Sequence, residues 1–173
     1  MSFETMQDLF IHQLRDIYSA EQQITKALPK MKEKASTEEL ATAFAEHLAE
    51  TQNQVARLDQ VFEILGERSG GVKCKGMEGL VAEAEEILDE DGNPAVIDAG
   101  IIAAAQRVEH YEISAYGSAK AFATLLGLSD IVKLLNESQQ EETAADKKLS
   151  LIATAEVNAR AAGTDPSMAA RAM

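Results

Sequence analysis

Tryptophan is absent from this 173-residue chain, aromatic residues make up 5% of it, and it has three prolines and one cysteine. The single cysteine, Cys74, excludes an internal disulfide framework and a cysteine-rich zinc site. Basic residues are scarce, 16 against 29 acidic ones, for a formal net charge of −13. Binding a polyphosphate needs a positive face, so this balance argues against nucleic acid and anionic membranes as partners. The longest apolar run, around Ala99–Ala105, is too short to span a bilayer. The opening MSFETMQDLF has no basic patch followed by an apolar stretch, unlike a secretory signal. These features together point to the reducing cytoplasm. Alternating apolar and polar runs of useful length are missing as well, which argues against strands.

What the chain has in excess is alanine, 29 residues of it, alongside the other strong helix formers. The spacing of apolar residues predicts four long helices. The first runs over about residues 2–34, with a stripe of Phe10, Leu14, Ile17, Ile24, Leu28 and Met31. Pro29 should bend it or end it early, because proline lacks a backbone donor. Ser36-Thr-Glu-Glu39 reads as a capping box opening the second helix, which carries Leu40, Phe44, Leu48, Val55, Leu58, Phe62 and Leu65 and stops at Gly66. A long connection, residues 67–93, contains a short amphipathic helix over 77–88 whose acidic end should fray against the helix dipole. Pro94 opens the third helix, Gly127 breaks the pattern, and the fourth runs from about Ser129 to Ala155. Short turns within each pair and one long connection between pairs define an all-α, antiparallel four-helix bundle with one crossover. Residues 1–155 form the bundle, and 156–173 a C-terminal extension expected to be mobile.

Three of the apolar stripes each contain one acid near the middle: Glu21, Glu112 and Glu142. An unpaired carboxylate in such a core costs several kcal/mol, and these stripes contain no lysine or arginine to offset it. A metal ion, a shared proton or a basic partner must cancel the charge. Depth along the helices supports convergence. Glu21 lies 15 residues before Ser36 and Glu50 lies 14 after it, while Glu112 and Glu142 each lie 15 from Gly127. At about 1.5 Å per residue, all four sit roughly 22 Å from their turns. Glu109 and Asp146 form a second layer, each on the same helix face as its neighbouring acid. Carboxylates contributed by four helices match the di-metal plan of ferritin-like bundles, and such oxygen-rich sites suit iron or manganese.

The strings DIYSAEQQ (16–23), HLAETQNQVARLDQV (47–61), KGMEGLVAEAEEI (75–87), IIAAAQRVEHYEISAYG (101–117) and EETAADKKL (141–149) resemble the YciE/YciF family of bacterial ferritin-like stress proteins. The resemblance spans residues 4–153 and implies a ferritin-like fold, a homodimer and a stress-response setting. The chain departs from the common Glu-x-x-His pattern of ferritins. Asn53 follows Glu50 and Ala145 follows Glu142 at that spacing, while His47 precedes Glu50. Nitrogen-poor sites are harder and oxygen-dominated, which suits manganese as well as iron.

The candidate metal ligands are therefore Glu21, Glu50, Glu109, Glu112, Glu142, Asp146 and His47. A non-catalytic dimeric bundle with a vestigial or empty acidic site is the alternative, and an iron-storage cage a third reading. His110 is rotated away from the face of Glu112, and His12 reads as a surface or dimer contact. Tyr18 and Tyr116 lie near the acidic layers; packing with the hydroxyl satisfied is the simpler role, and donation to a ligand carboxylate the alternative. Cys74, between two lysines in a glycine-rich stretch, is read as an exposed thiol.

Overall fold

The computed structural model describes residues 3–164. Its helices are α1 (Met6–Lys34), α2 (Glu38–Leu65), α3 (Lys75–Asp89), α4 (Pro94–Leu125) and α5 (Ser129–Ile152), followed by a π-helical turn (Ala153–Val157) and a short α6 (Asn158–Ala161). Among the described residues there is no strand, and no helix is long and apolar enough to cross a membrane. The helices α1, α2, α4 and α5 form the expected bundle. Packing is most extensive between α4 and α5 and between α1 and α2, with α2 also against α5 and α1 against α4. The crossover helix α3 lies on α1 and α4.

The start of α1 has a signal that periodicity alone does not reveal. Thr5 accepts from the Asp8 backbone and the Asp8 carboxylate accepts from Thr5, so a capping box fixes the helix. The whole predicted stripe of α1 is buried, together with Ala20 and Ala27. Pro29 points outward into solvent, and the helix continues past it to Lys34.

The α1–α2 turn differs from the sequence expectation by one residue. Thr37, not Ser36, caps α2 by accepting from the Leu40 backbone. Ser36 is diverted to the buried Asp98 at the start of α4: its N–H donates at 2.9 Å and its hydroxyl at 2.6 Å. Two neighbouring hydroxyls thus do two jobs, one local and one tertiary. Thr37→Ala should cost about 1 kcal/mol in urea titrations. Ser36→Ala should cost more, about 1–3 kcal/mol, because a buried carboxylate oxygen loses its donor. The other ends of the long helices follow the glycine signals: Gly66 and Gly127 take φ of 67° and 73°, where a side chain would be strained.

The acidic end of α3 does not fray as expected. It stays helical to Asp89, where Lys30 of α1 pairs with Glu85 at 2.6 Å and Lys34 donates to the Glu90 carbonyl at 3.1 Å. These cations offset the unfavourable dipole end. Cys74 is likewise not the exposed thiol that its lysine neighbours suggested. It is fully buried and caps α3, its sulfur accepting from the Met77 backbone at 3.4 Å. Its backbone N–H donates to Ser19 Oγ at 3.0 Å, and its sulfur lies 2.9 Å from Tyr111 Oη, which donates to Asp16 at 2.7 Å. Burial pushes the thiol pKa up, so the group is packed and poorly nucleophilic.

Beyond Ile152 the chain stays helical against α4, with Ala153, Val157 and Ala159 buried. The extension expected from residue 156 thus has its first residues packed, and its part from 165 onward lies outside the described residues. Apolar packing forms two clusters. One gathers around Phe10, Leu14, Leu58, Ile131 and Leu135 at the α4–α5 turn end. The other gathers around Ile24, Leu28, Phe44, Ile101 and Leu149 at the opposite end. A polar layer separates them.

Candidate metal centre

That layer is a by-product of the same periodicity that builds the clusters. In α1 the spacing that buries Ile17 and Ile24 also buries Glu21 between them. The helix α4 buries Glu109 and Glu112 in the same way, and α5 buries Ser138 and Glu142. The helix α2 presents His47, Thr51 and Gln54.

One ligand atom from each of His47, Glu109, Glu112 and Glu142 lies within 4.8 Å of the others. His47 Nε2 is 3.2 Å from Glu109 Oε1 and 3.7 Å from Glu142 Oε2, and it makes no hydrogen bond to either. The Gln54 amide donates to Glu142 Oε1 and, at 3.0 Å, to Glu141 Oε2. Arg57 holds Glu141 through both terminal nitrogens at 2.9 Å and donates to Ser138 Oγ at 2.8 Å. This outer chain fixes the position of Glu142. On the α1 side the Tyr116 hydroxyl donates to Glu21 Oε1, so Tyr116 orients a carboxylate rather than serving as packing alone. Tyr18, by contrast, packs edge-on against Phe62, with ring centroids 5.9 Å apart.

Four carboxylate oxygens are buried without any hydrogen-bond partner: Glu21 Oε2, Glu109 Oε2, Glu112 Oε1 and Glu142 Oε2. Buried polar atoms are nearly always paired, so this concentration of orphans marks a place built for something more. Burial pushes Glu21 up to about 8, against the opposing pull of the Tyr116 hydrogen bond and the His47 charge. Glu112 is raised well above the ordinary carboxylate range by burial and then by the charges of Glu142, Glu21 and Glu109. Glu142 is raised by burial and by its contact with Glu109. Burial opposes the charged form of His47, but the Glu109, Glu50 and Glu142 carboxylates together outweigh it and hold the imidazole well above its usual pKa. Without a cation the cluster therefore takes up protons.

Of the residues singled out from the sequence, His47, Glu109, Glu112 and Glu142 meet in one group, and Glu21 is buried in the same layer on Tyr116. Glu50 lies outside the group: its side chain is 45% exposed, with Oε2 3.5 Å from His47 Nδ1. Asp146 also lies outside it, accepting from Gln106 at 3.0 Å and sitting 3.6 Å from the exposed His110. His12 stacks edge-on against Phe3. Gln54 and Arg57 were not among the sequence candidates. The available signal was the i, i+4, i+7 spacing of His47, Thr51 and Gln54, the same spacing that places acids inside the other three helices.

The chain also has clear relatives. It is 46% identical to protein YciF of Escherichia coli (strain K12) over 162 residues, 93% of this chain and 98% of that one. The crystal structure of the E. coli stress protein YciF superposes with a TM-score of 0.87 over 90% of this chain and 98% of that chain. YcfI from Rhodopseudomonas palustris, 52% identical, superposes with a TM-score of 0.84 over 86% of this chain and 95% of its own. A Xanthomonas campestris protein at 18% identity shares the fold, with a TM-score of 0.72. Residues 5–162 match the family described as a domain of unknown function, DUF892, and this chain, a close relative of YciF, belongs to that family.

Proposed function

We propose that the polar layer is a carboxylate-rich centre for iron or manganese, and that the protein acts in stress response as its E. coli relative YciF does. The observation that carries this reading is the convergence of His47, Glu109, Glu112 and Glu142 within 4.8 Å, with orphaned oxygens on all three acids. Three hard oxygen donors and a single imidazole suit a hard or borderline divalent ion such as iron or manganese. Glu21, buried in the same layer with Oε2 unpaired, is the further carboxylate that a second ion would use. Iron or manganese in such a centre supplies electron transfer toward oxygen or peroxide. The protein's own residues hold the site in shape. Gln54 and Arg57 fix the α5 carboxylates, Tyr116 aims Glu21, and the apolar clusters above and below limit access of bulk water.

Anaerobic equilibrium dialysis against Fe2+ or Mn2+ tests the reading, followed by anomalous diffraction from a soaked crystal. The expected result is bound metal at the His47–Glu109–Glu112–Glu142 group and a raised melting temperature, because a ligand that binds only the native state stabilises it. No bound metal and no thermal shift would leave a non-catalytic helical protein with a vestigial acidic site. The proposal includes assembly as a homodimer. A light-scattering mass of a single chain would remove that part.

A further inference from the structure

We propose that a cleft between α2 and α5 is the port by which divalent cations reach the buried cluster, and that Glu50 is the carboxylate that passes them inward. This inference rests on the metal reading above.

A cavity of about 80 Å3 opens between these two helices, lined by residues that include Ala43, Glu46, His47, Glu50, Glu109 and Ala145. That is room for several water molecules. Ala43 on one wall and Ala144 and Ala145 on the other keep the passage open beneath the Lys148–Glu46 ion pair that spans its mouth. The inner end is made of ligand atoms in need of a partner. His47 is 6% exposed with neither ring nitrogen hydrogen-bonded, and Glu109 Oε2 is buried and unpaired. The cavity therefore ends on the cluster itself.

Glu50 explains its own odd placement in this arrangement. Its side chain is 45% exposed, yet Oε2 comes within 3.5 Å of His47 Nδ1. An acid that touches both water and the outer edge of the centre can take a hydrated ion at the surface and release it to deeper ligands. The rim carries an ion pair between Lys148 and Glu46, both about half exposed. Lys148 is the positive charge at the mouth, so it opposes the approach of a cation. The other side of His47 and Glu109 offers no such route. There the void is about 10 Å3 and is lined by apolar residues such as Ile24, Leu28, Met31, Val81 and Val108. An ion entering there would lose its water with nothing to replace it.

Stopped-flow uptake of Co2+ by the full chain, followed through the cobalt d–d absorption, tests the port. Ala145→Leu places bulk in the cleft and replaces none of the cluster ligands. It should slow uptake about tenfold or more while leaving the final stoichiometry unchanged. Glu50→Gln removes the transfer charge without adding bulk, so it keeps the test sound should Ala145→Leu misfold, and it should slow uptake as well. Lys148→Gln should speed it. Ala121→Leu, on an exposed part of α4, should match the unaltered rate. Uptake by the unaltered chain that neither Ala145→Leu nor Glu50→Gln slows overturns the port alone. A complete lack of uptake by the unaltered chain overturns the metal reading, and the port with it.

Discussion

Glu112→Leu is expected to raise the melting temperature of the metal-free protein at pH 8 and to abolish its response to added manganese. Most substitutions of a buried residue destabilise, so the expected sign is itself the test. Glu112 is 1% exposed, its Oε1 has no hydrogen-bond partner, and the charges around it are those of Glu142, Glu21 and Glu109. In the metal-free protein it brings desolvation cost and repulsion and makes no compensating bond. Leucine is of similar size and joins the apolar surface on either side. Replacing buried ionic groups with packed apolar residues is commonly neutral or stabilising by about 1–4 kcal/mol. For a chain of this length, each kcal/mol moves the melting point by about 2–4 °C. Scanning calorimetry with and without Mn2+ gives both readouts. A variant that melts several degrees lower would show that Glu112 is a satisfied structural acid, and the centre would lose its middle ligand.

Stability of the metal-free protein should fall as pH rises from about 4.5 to about 8, and metal should remove most of that fall. Glu21 illustrates the sign. Its ordinary pKa is 4.5 and burial pushes it to about 8 in the folded state. Between these values the native protein holds a proton that the unfolded chain has released, so stability decreases with pH. The contribution is fully present below the lower value and is lost through the upper one. Glu112 and Glu142 are displaced in the same direction. His47, raised well above 6.5, adds to the trend, because its charged form is also favoured by folding. At about 1.4 kcal/mol per pKa unit, the Glu21 shift alone corresponds to several kcal/mol. A divalent ion takes the place of those protons, so binding should tighten and release protons as pH rises. Melting curves at pH 5 and pH 8, with and without Mn2+, measure the effect. A metal-free protein that melts higher at pH 8 than at pH 5 would contradict the whole electrostatic picture of the layer.

The bundle and much of its polar layer were legible in the sequence because periodicity on α1, α4 and α5 is clean. Each stripe there is apolar apart from one or two polar positions, so Glu21, Glu112 and Glu142 could only point inward. The helix α2 was harder. Leu48 and Val55 continue an apolar pattern, but the face that is buried at mid-height is His47, Thr51 and Gln54. The carboxylates of the facing helices favour an imidazole and an amide over two aliphatic chains, and that preference appears only once the helices are side by side. The same limit explains Glu50, which matched the others in depth but not in direction. Depth along a helix can be counted from a turn; rotation has to be fixed by neighbours. Cys74 shows the long-range version of the problem. Its lysine neighbours suggested water, whereas its environment is set by Tyr111, 37 residues away, and by Ser19.

The interruption of the core at mid-height has a consequence for how the molecule comes apart. Hydrophobic contact is continuous within each end of the bundle but not across the middle, so the two ends are joined chiefly by the helices that run through them. Amide exchange should then show two separately opening units, one at each end. An ion bridging α2, α4 and α5 at the boundary would act as a rivet, slowing the opening of both ends together and turning two loosely coupled halves into one cooperative body.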